Sequence, residues 1–229
     1  MFKRAHHLQI AVVLDALDSD LLAESSCYFG GGTAIALRYG EYRESVDIDF
    51  LVSDKSGYGQ LRELVRRPKG FNALTRKPIS AIRPVVADRY GIRTLLDVEG
   101  APIRFEIVAE GRIELEPPSP GDNICGVATL TNLDMATTKL LANSDRWADQ
   151  SVFSRDIIDL AMMAPDSTVM TRAIGKAETA YRSAVVGDLR NAIEYLRDNP
   201  HRLDDCIREL HMSGISKAEL WNRIKRLNP

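Results

Sequence analysis

The sequence predicts an α+β protein that has a small mixed sheet in its N-terminal half and a helical C-terminal lobe. Up to about residue 116, short strand-like segments alternate with helical patterns. The run Glu116-Pro117-Pro118-Ser119-Pro120-Gly121 then excludes both helix and strand. After it, apolar residues recur almost only with the helical period. We therefore expect a first domain over residues 1–116, a turn-rich linker over 117–128 and a helical lobe over 129–229.

Within the first domain, alternation of polar and apolar residues predicts strands, and the 3.6-residue period predicts helices. Three glycines separate the first strand from the helix that follows it, and Gly100-Ala101-Pro102 joins the last two strands. The predicted elements are a helix over 7–23, a strand over 26–29, a helix over 33–39, a strand over 46–52, a helix over 60–65, and strands over 93–99 and 103–108.

The C-terminal lobe begins at Thr131-x-x-Asp134, which resembles a helix-capping box. Ser216-x-x-Glu219 is a second capping box and predicts the start of the last helix, which ends near residue 227. The intervening helices are predicted over 154–163, 167–186, 188–197 and 202–211, after a first one over 131–143.

The composition excludes several classes of protein. The 229 residues are 45% hydrophobic and 27% charged, unlike disordered, collagen-like or disulfide-knot chains. No apolar run approaches the roughly 20 residues needed to cross a bilayer, so no membrane partner is expected. The cysteines, Cys27, Cys125 and Cys206, include no closely spaced pair. This pattern predicts reduced thiols and a cytoplasmic location.

Charge is distributed unevenly along the chain. Residues 62–93 contain nine basic and two acidic side chains, a net charge of +7, in a chain whose net charge is −2. A balance near zero therefore does not exclude a nucleic-acid partner. The basic segment is either a solvated face or a surface for the phosphates of a polynucleotide.

The first segment that indicates a chemical function is Phe29-Gly30-Gly31-Gly32-Thr33, where a strand runs through glycines into a helix. Glycines let backbone N–H groups approach a ligand closely, and a helix N-terminus favours an anion. No Gly-Lys-Ser/Thr follows, so the loop is not a P-loop. A glycine turn that merely packs against its helix explains the segment equally well.

The second segment is the strand Val46-Asp47-Ile48-Asp49-Phe50. Side chains alternate along a strand, so Asp47 and Asp49 share one face and the apolar residues share the other. Two carboxylates on neighbouring positions of one face repel each other unless a cation lies between them. Mg²⁺ prefers such oxygen ligands together with substrate phosphates. The alternative is an exposed strand face with two solvated aspartates.

A third carboxylate would complete a two-metal site. In the strand over 103–108, Ile103, Phe105 and Ile107 form an apolar face and Glu106 points the other way. If this strand neighbours the first, Glu106 can join Asp47 and Asp49 as a metal ligand. Asp97 and Glu99 on the preceding strand are the rivals, and we favour Glu106.

These motifs together resemble a known family. A Gly-Gly-Thr loop that opens a helix, followed after thirteen residues by Asp-x-Asp on a strand, resembles the polymerase-β-type nucleotidyltransferase superfamily. Gly31-Gly32-Thr33-Ala34, Leu37-Arg38-Tyr39-Gly40 and Arg43-x-Ser45-x-Asp47-Ile48-Asp49 more narrowly resemble the AbiEii/AbiGii-type nucleotidyltransferase toxins. The stretch from Thr138 to Ala142 and Ser154-Arg155-Asp156-Ile157-Ile158-Asp159 resemble that family's lysine and Arg-Asp-x-x-Asp helices. The segment between Lys55 and Arg93 resembles nothing in the family.

The resemblance implies a polymerase-β-like core that uses Mg²⁺ or Mn²⁺ and a nucleoside triphosphate. Asp47, Asp49 and Glu106 would then hold the metal, and Lys139 would neutralise triphosphate charge as a fourth catalytic residue. Arg155, Asp156 and Asp159 would either take part in the chemistry or orient the site. The residues implied in nucleotide binding are Gly31, Gly32, Thr33, Ser45, Arg43 and Arg146.

Two functions of different classes remain open from the sequence. One is a Mg²⁺-dependent enzyme that transfers a nucleoside monophosphate to an acceptor hydroxyl. By resemblance the acceptor is an RNA 3′ end, such as that of tRNA, and the protein is a bacterial toxin with a cognate antitoxin. The other is a catalytically silent fold that binds a nucleotide or a protein. A phosphotransferase on the same site is a third hypothesis.

Overall fold

A computed structural model of the chain describes residues 2–228 and divides them into two compact units. The first unit contains the described residues up to Arg38 together with Ser45–Thr131. The second contains Tyr39–Glu44 and the described residues from Asn132 onward. Compactness alone does not show which segment folds by itself, so the domain bounds given above stay a prediction.

The first unit is built on a six-stranded sheet. Its strands are β1 Cys27–Gly30, β2 Ile48–Val52, β3 Ser80–Ala81, β4 Val86–Ala87, β5 Gly91–Val98 and β6 Ala101–Ala109. They lie in the order β1, β2, β6, β5, β3, and β4 pairs with β5 as well. Only β2 and β6 run parallel, and every other pair is antiparallel, so the sheet is mixed as predicted.

Four helices and a short hairpin complete the first unit. The helices are α1 Ala5–Ala16, α2 Ser19–Glu24, α3 Gly31–Arg38 and α4 Lys55–Val65, and the hairpin pairs β7 Asn123–Ile124 with β8 Val127–Ala128. The prediction of one helix over 7–23 is wrong. Leu17 and Asp18 are extended, and the Asp18 side chain accepts the Leu21 N–H, so a second helix begins there.

Helix α4 begins five residues earlier than the sequence predicts. Asp54 caps it, because its carboxylate accepts the N–H groups of Ser56 and Gly57. A side-chain cap that satisfies two otherwise unpaired donors stabilises the first turn. The helix therefore tolerates Gly57 and Gly59 in its opening turns.

One face of the sheet forms the core of the first unit. Phe29, Phe50 and Phe105 lie on three adjacent strands with ring centroids 5.4 and 5.6 Å apart, and Phe71 packs edge-on against Phe105 at 4.9 Å. Phe29, Phe50 and Phe105 are completely buried. Because side chains alternate along each strand, the residues next to each phenylalanine on its own strand face the other side of the sheet.

The second unit consists of helices around the short segment Tyr39–Glu44. The predicted helix over 167–186 ends at Tyr181, because Arg182 adopts a positive φ of 54° that interrupts the helix. Ser216 caps the last helix by accepting the Glu219 N–H at 3.2 Å, which confirms that capping prediction. The helices are α5 Asn132–Arg146, α6 Arg155–Met163, α7 Ser167–Tyr181, α8 Ala184–Asp198, α9 Pro200–Glu209 and α10 Lys217–Lys225.

Within residues 2–228, no helix has both the length and the apolar character that crossing a bilayer requires.

We predict that Phe105→Ala lowers the free energy of unfolding by about 3–5 kcal/mol, because it removes a buried ring that contacts two others. Val86→Ala on the exposed edge strand is the matched control and should change it by less than about 0.5 kcal/mol. Urea denaturation measures both values. Equal losses in the two variants would contradict this view of the core.

Candidate active site

The glycine loop brings the backbone of Gly31 against the side-chain carboxylate of Asp49. Strand β1 ends at Gly30, and Gly31 begins α3 with a φ of +67°. A Cβ atom on Gly31 would lie 2.5 Å from Oδ2 of Asp49, closer than non-bonded atoms approach. Both the backbone conformation and the contact therefore require glycine at this position. The first N–H groups of α3 have no partners within the helix, and they start beside Asp49.

A set of hydrogen bonds connects the start of α3 to the chain that enters β2. The Thr33 hydroxyl lies 2.5 Å from the carbonyl oxygen of Asp47 and 2.8 Å from the Ser45 hydroxyl. A carbonyl only accepts, so Thr33 donates to Asp47 and accepts from Ser45. Thr33 is buried, and this bonding holds Asp47 at the start of the strand. Contact of Thr33, Gly32 or Ser45 with phosphate stays a prediction.

Asp49 and Glu106 are direct neighbours across the parallel pair of strands. Asp49 on β2 is in register with Glu106 on β6, so their Cα atoms are about 4.8 Å apart and their side chains share one face of the sheet. Asp47 immediately precedes β2, which starts at Ile48 rather than at Val46. Asp47 and Asp49 are half-buried, whereas Val46 is 45% exposed and forms no part of the core.

The register separates Glu106 from its two rivals. Asp97 on β5 lies opposite Pro102, four residues along β6 from Glu106, which corresponds to about 13 Å. Its carboxylate accepts the Gly100 N–H, and Glu99 lies in the turn that follows. This register favours Glu106 as the third carboxylate, although its role stays a prediction.

The carboxylate set fits a hard cation that brings its own further ligands. Among residues 2–228, no three His, Cys, Asp or Glu side chains stand close enough together to form a ready-made metal site. Mg²⁺ is usually held by one or two carboxylates together with water and substrate phosphates. The in-register pair Asp49 and Glu106, with Asp47 two positions away, supplies oxygen donors of that kind.

Two residues beside this carboxylate set carry no role in the sequence-based prediction. His7 is completely buried in α1, and its Nε2 accepts the Ser45 N–H at 3.3 Å. Its spacing from the buried residues Ile10 and Leu14 places it on the apolar face of the helix, and this signal is visible in the sequence. Arg93 is the register partner of Glu106 on β5, with Nη1 3.9 Å from Oε1.

The other predicted site residues form a buried charge cluster inside the second unit. Asp159 is completely buried and accepts a bidentate pair of bonds from Arg43, at 2.6 and 2.9 Å. The Tyr42 hydroxyl donates to the same carboxylate at 2.6 Å, and Lys139 Nζ lies 2.7 Å from it. Four donors thus satisfy one buried carboxylate, as burial of a charge requires.

Asp156, the second buried carboxylate of this cluster, binds Lys139 and Arg146. Its carboxylate accepts Lys139 Nζ at 2.9 Å and the Arg146 guanidinium at 2.6 and 2.9 Å. Arg155, the neighbouring helix residue, is only half-buried. Lys139 bridges both aspartates, so its contact with a triphosphate, like those of Arg43 and Arg146, stays a prediction. What the structure shows is that these residues join α5, α6 and Tyr39–Glu44.

The cations determine the ionisation of both aspartates. Burial raises the pKa of Asp156, but Lys139 and Arg146 outweigh it and hold the pKa well below its usual range. Burial likewise opposes ionisation of Asp159, and Arg43 and Lys139 lower its pKa. Burial and the charge of Asp159 raise the pKa of Tyr42, so its hydroxyl stays protonated and donates.

Comparison with known proteins identifies the family. The family model described as "Nucleotidyl transferase AbiEii toxin, Type IV TA system" matches residues 12–225. The chain belongs to this AbiEii toxin family. The protein is therefore a nucleotidyltransferase of toxin–antitoxin type, and the resemblance stated from the motifs is confirmed. A sequence comparison with curated proteins gives no match.

Two solved structures are similar to this chain. A protein from Helicobacter pylori described as a nucleotidyltransferase shares 15% identity with a TM-score of 0.53, over 100% of this chain and 96% of the other. MenT4, a nucleotidyltransferase toxin from Mycobacterium tuberculosis, shares 17% identity with a TM-score of 0.48, over 98% and 84% of the two chains. The first of these likenesses supports the nucleotidyltransferase fold of this AbiEii family member.

We predict that Gly31→Ala weakens nucleoside triphosphate binding strongly, because the added methyl group meets the Asp49 carboxylate. Gly40→Ala is the matched control, since Gly40 also has a positive φ, of +87°, but has no atom within 4 Å of an added Cβ. Both variants carry the same kind of backbone strain, about 1 kcal/mol. Calorimetric titration should show a loss for Gly31→Ala alone, and equal binding by both variants would contradict the contact.

Asp159→Asn should lower the free energy of unfolding by about 3–5 kcal/mol, because it leaves Arg43 and Lys139 as buried charges short of a counter-charge. Asp198→Asn removes one partner of an exposed pair with Arg197 and should have little effect. Urea denaturation at neutral pH measures both. Equal small effects would show that the buried cluster adds no stability.

The same cluster makes stability depend on pH in the acid range. The folded-state pKa values of Asp156 and Asp159 lie below the unfolded value of about 3.9, so their stabilisation is complete above that value and is lost as pH falls below it. Unfolding free energies measured between pH 7 and pH 2 should show this loss. Asp156→Asn should reduce the dependence on pH, and an unchanged dependence would contradict the assignment.

Proposed function

We propose that this protein transfers a nucleoside monophosphate from a nucleoside triphosphate to an acceptor hydroxyl in a Mg²⁺-dependent reaction. The observation that carries the proposal is the register of Asp49 and Glu106 on parallel strands, with Gly31 against Asp49. An anion-binding loop and two hard carboxylates thus meet at one position. This is the combination that binding a metal-bound triphosphate requires.

Each group of residues in the site would have its own task in the reaction. N–H groups at the start of α3 would bind the phosphates of the triphosphate beside Asp49. Asp47, Asp49 and Glu106 would hold Mg²⁺ or Mn²⁺, which supplies charge neutralisation for the transferred group and its leaving pyrophosphate. Glu106, as one of the ligands of that metal, would help lower the pKa of the attacking hydroxyl. His7 and Thr33 would keep Ser45 and Asp47 in position throughout.

An RNA 3′ end, such as that of tRNA, is the acceptor that we propose. The basic segment over 62–93 supports it, although its positive charge is only partly available. Arg76 pairs with Asp18 and Asp20 at 2.9 and 2.5 Å, and Lys77 pairs with Asp15 at 2.6 Å. The arginines closer to Glu106 therefore matter more for a polynucleotide. RNA binding should weaken as salt concentration rises.

A toxin function implies further partners. The description of the family names a type IV toxin–antitoxin system, which supports our proposal that a cognate antitoxin opposes this protein in the cytoplasm. Transfer of nucleotides to an essential RNA is a reaction that an antitoxin would have to oppose.

The test incubates the purified protein with labelled nucleoside triphosphates, Mg²⁺ and total tRNA. We predict transfer of label to RNA, and loss of at least about a hundredfold in rate for Asp49→Asn, since a metal-binding carboxylate contributes several kcal/mol to catalysis. Asp97→Asn is the matched control, because Asp97 is an exposed acid on a neighbouring strand away from Glu106. It should leave the rate unchanged.

Three outcomes would overturn the proposal in different ways. If no label is transferred to RNA under any metal condition, RNA is not the acceptor. If Asp49→Asn leaves the transfer intact, the proposed carboxylates are not the catalytic site. An intact-mass increase of one phosphate rather than one nucleoside monophosphate would show a phosphotransferase instead.

A further inference from the structure

Three arginines of the basic segment lie together near the proposed metal ligands. Tyr58 and Arg62 are four residues apart and share one face of α4, and Arg66, which caps the end of this helix, continues the same spacing. The Tyr58 hydroxyl donates to the Asp88 carbonyl at 2.6 Å, and Arg66 donates to the Ala87 carbonyl at 2.7 Å. This face of the helix is thereby fixed against the turn that connects β4 to β5.

Arg93 joins the same group from β5, where its guanidinium pairs with the Asp88 carboxylate. Burial and the charge of Asp88 raise the pKa of Tyr58, and the charges of Arg62, Arg93 and Arg66 lower it. We call Arg62, Arg66 and Arg93 the arginine cluster.

The cluster carries more positive charge than the groups around it neutralise. Asp88 is the carboxylate that pairs with it directly, and it also accepts the N–H groups of Tyr90 and Gly91. Glu106 is farther away, at 3.9 Å from Arg93. Asp88 and Glu106 thus supply two negative charges beside three guanidinium groups.

The register of the sheet places this cluster on a defined side of the carboxylates. Gly30, Asp49, Glu106 and Arg93 are consecutive register partners on β1, β2, β6 and β5. At about 4.8 Å per strand, Arg93 lies about 14 Å from the glycine end of this row. Asp49 and Glu106 lie between the two ends. The site thus has two anion-binding regions, one on each side of its carboxylates.

In-line transfer gives these two regions different roles. The attacking oxygen and the leaving pyrophosphate occupy opposite sides of the α-phosphorus atom. If the glycine loop binds the triphosphate, the acceptor approaches from the side of Arg93. We propose that the arginine cluster binds the phosphodiester next to the acceptor's terminal hydroxyl, so that the acceptor is a polynucleotide end rather than a protein side chain.

This inference rests on the proposed function and makes its step explicit. The acceptor oxygen forms a bond to the α-phosphorus, and the bond from that phosphorus to the oxygen bridging to the β-phosphate breaks. Pyrophosphate leaves with the electron pair, and the hydroxyl proton is released. The arginine cluster binds the acceptor and exchanges no atom with it. A guanidinium is suited to this task because it binds phosphate oxygens in a bidentate manner.

The test compares two small acceptors, adenosine and the dinucleotide ApA, in which a phosphodiester joins the terminal adenosine to a second adenosine. With a labelled triphosphate and Mg²⁺, ApA should have a kcat/KM at least about tenfold higher than adenosine. Arg93→Ala should remove this preference without raising the KM for the triphosphate. Arg93→Lys, which keeps the charge but not the bidentate geometry, should restore the preference in part.

Arg76→Ala is the matched control. It removes one arginine from the same basic segment, but Asp18 and Asp20 already neutralise that residue. Its preference for ApA should equal that of the unchanged protein. Binding of a fluorescein-labelled single-stranded RNA without nucleotide gives a second readout. There Arg93→Ala should reduce the slope of log affinity against log salt by about 0.7, the value for one lost phosphate contact.

Each outcome decides between the hypotheses. Equal use of ApA and adenosine, or an unchanged preference in Arg93→Ala, overturns the inference while the proposed function stands. A higher KM for the triphosphate in Arg93→Ala shows that the cluster binds the nucleotide instead. If neither acceptor nor tRNA is labelled but a protein is, the acceptor is a protein side chain. If nothing is labelled, the proposed function fails. In that case the RNA-binding measurement still tests the inference, because an unchanged slope of log affinity against log salt in Arg93→Ala overturns it.

Discussion

The parallel pairing of β2 with β6 is the constraint on which the candidate active site depends. It places Asp49 beside Glu106, and the same register places buried Phe50 beside Ile107 on the opposite face. A slip of one residue would exchange the two faces and bury the carboxylates. The apolar core therefore fixes the position of the acids, and the stability of the sheet and the geometry of the site have one origin.

The buried charge cluster performs a comparable task in the second unit. Asp156 and Asp159 are three residues apart on α6, so both face the same side and share Lys139. Removing Asp159 leaves buried Arg43 without its counter-charge and leaves Lys139 with Asp156 alone. The motif that resembles the family's Arg-Asp-x-x-Asp helix is thus, in this protein, a means of connecting α5, α6 and the segment before Ser45.

Local pattern was sufficient for some of these features and not for others. Alternation along 48–50 and 103–107 predicts which face Asp49 and Glu106 occupy, because strand geometry is local, whereas Val46 and Asp47 lie outside the strand. Whether the two strands are neighbours depends on long-range pairing that no local pattern encodes. For the same reason Arg93 becomes part of the site only through the register of β5 with β6. The break at Asp18 depends on a side-chain cap that a helical period conceals.

Binding of Mn²⁺ in the presence of a non-hydrolysable nucleoside triphosphate tests the central claim most directly. Electron paramagnetic resonance reports the free ion, and the in-register pair predicts at least about tenfold weaker binding in Glu106→Gln than in the unchanged protein. Asp97→Asn should bind as the unchanged protein does. Unaltered Mn²⁺ binding by Glu106→Gln, or a loss in Asp97→Asn instead, would contradict the account.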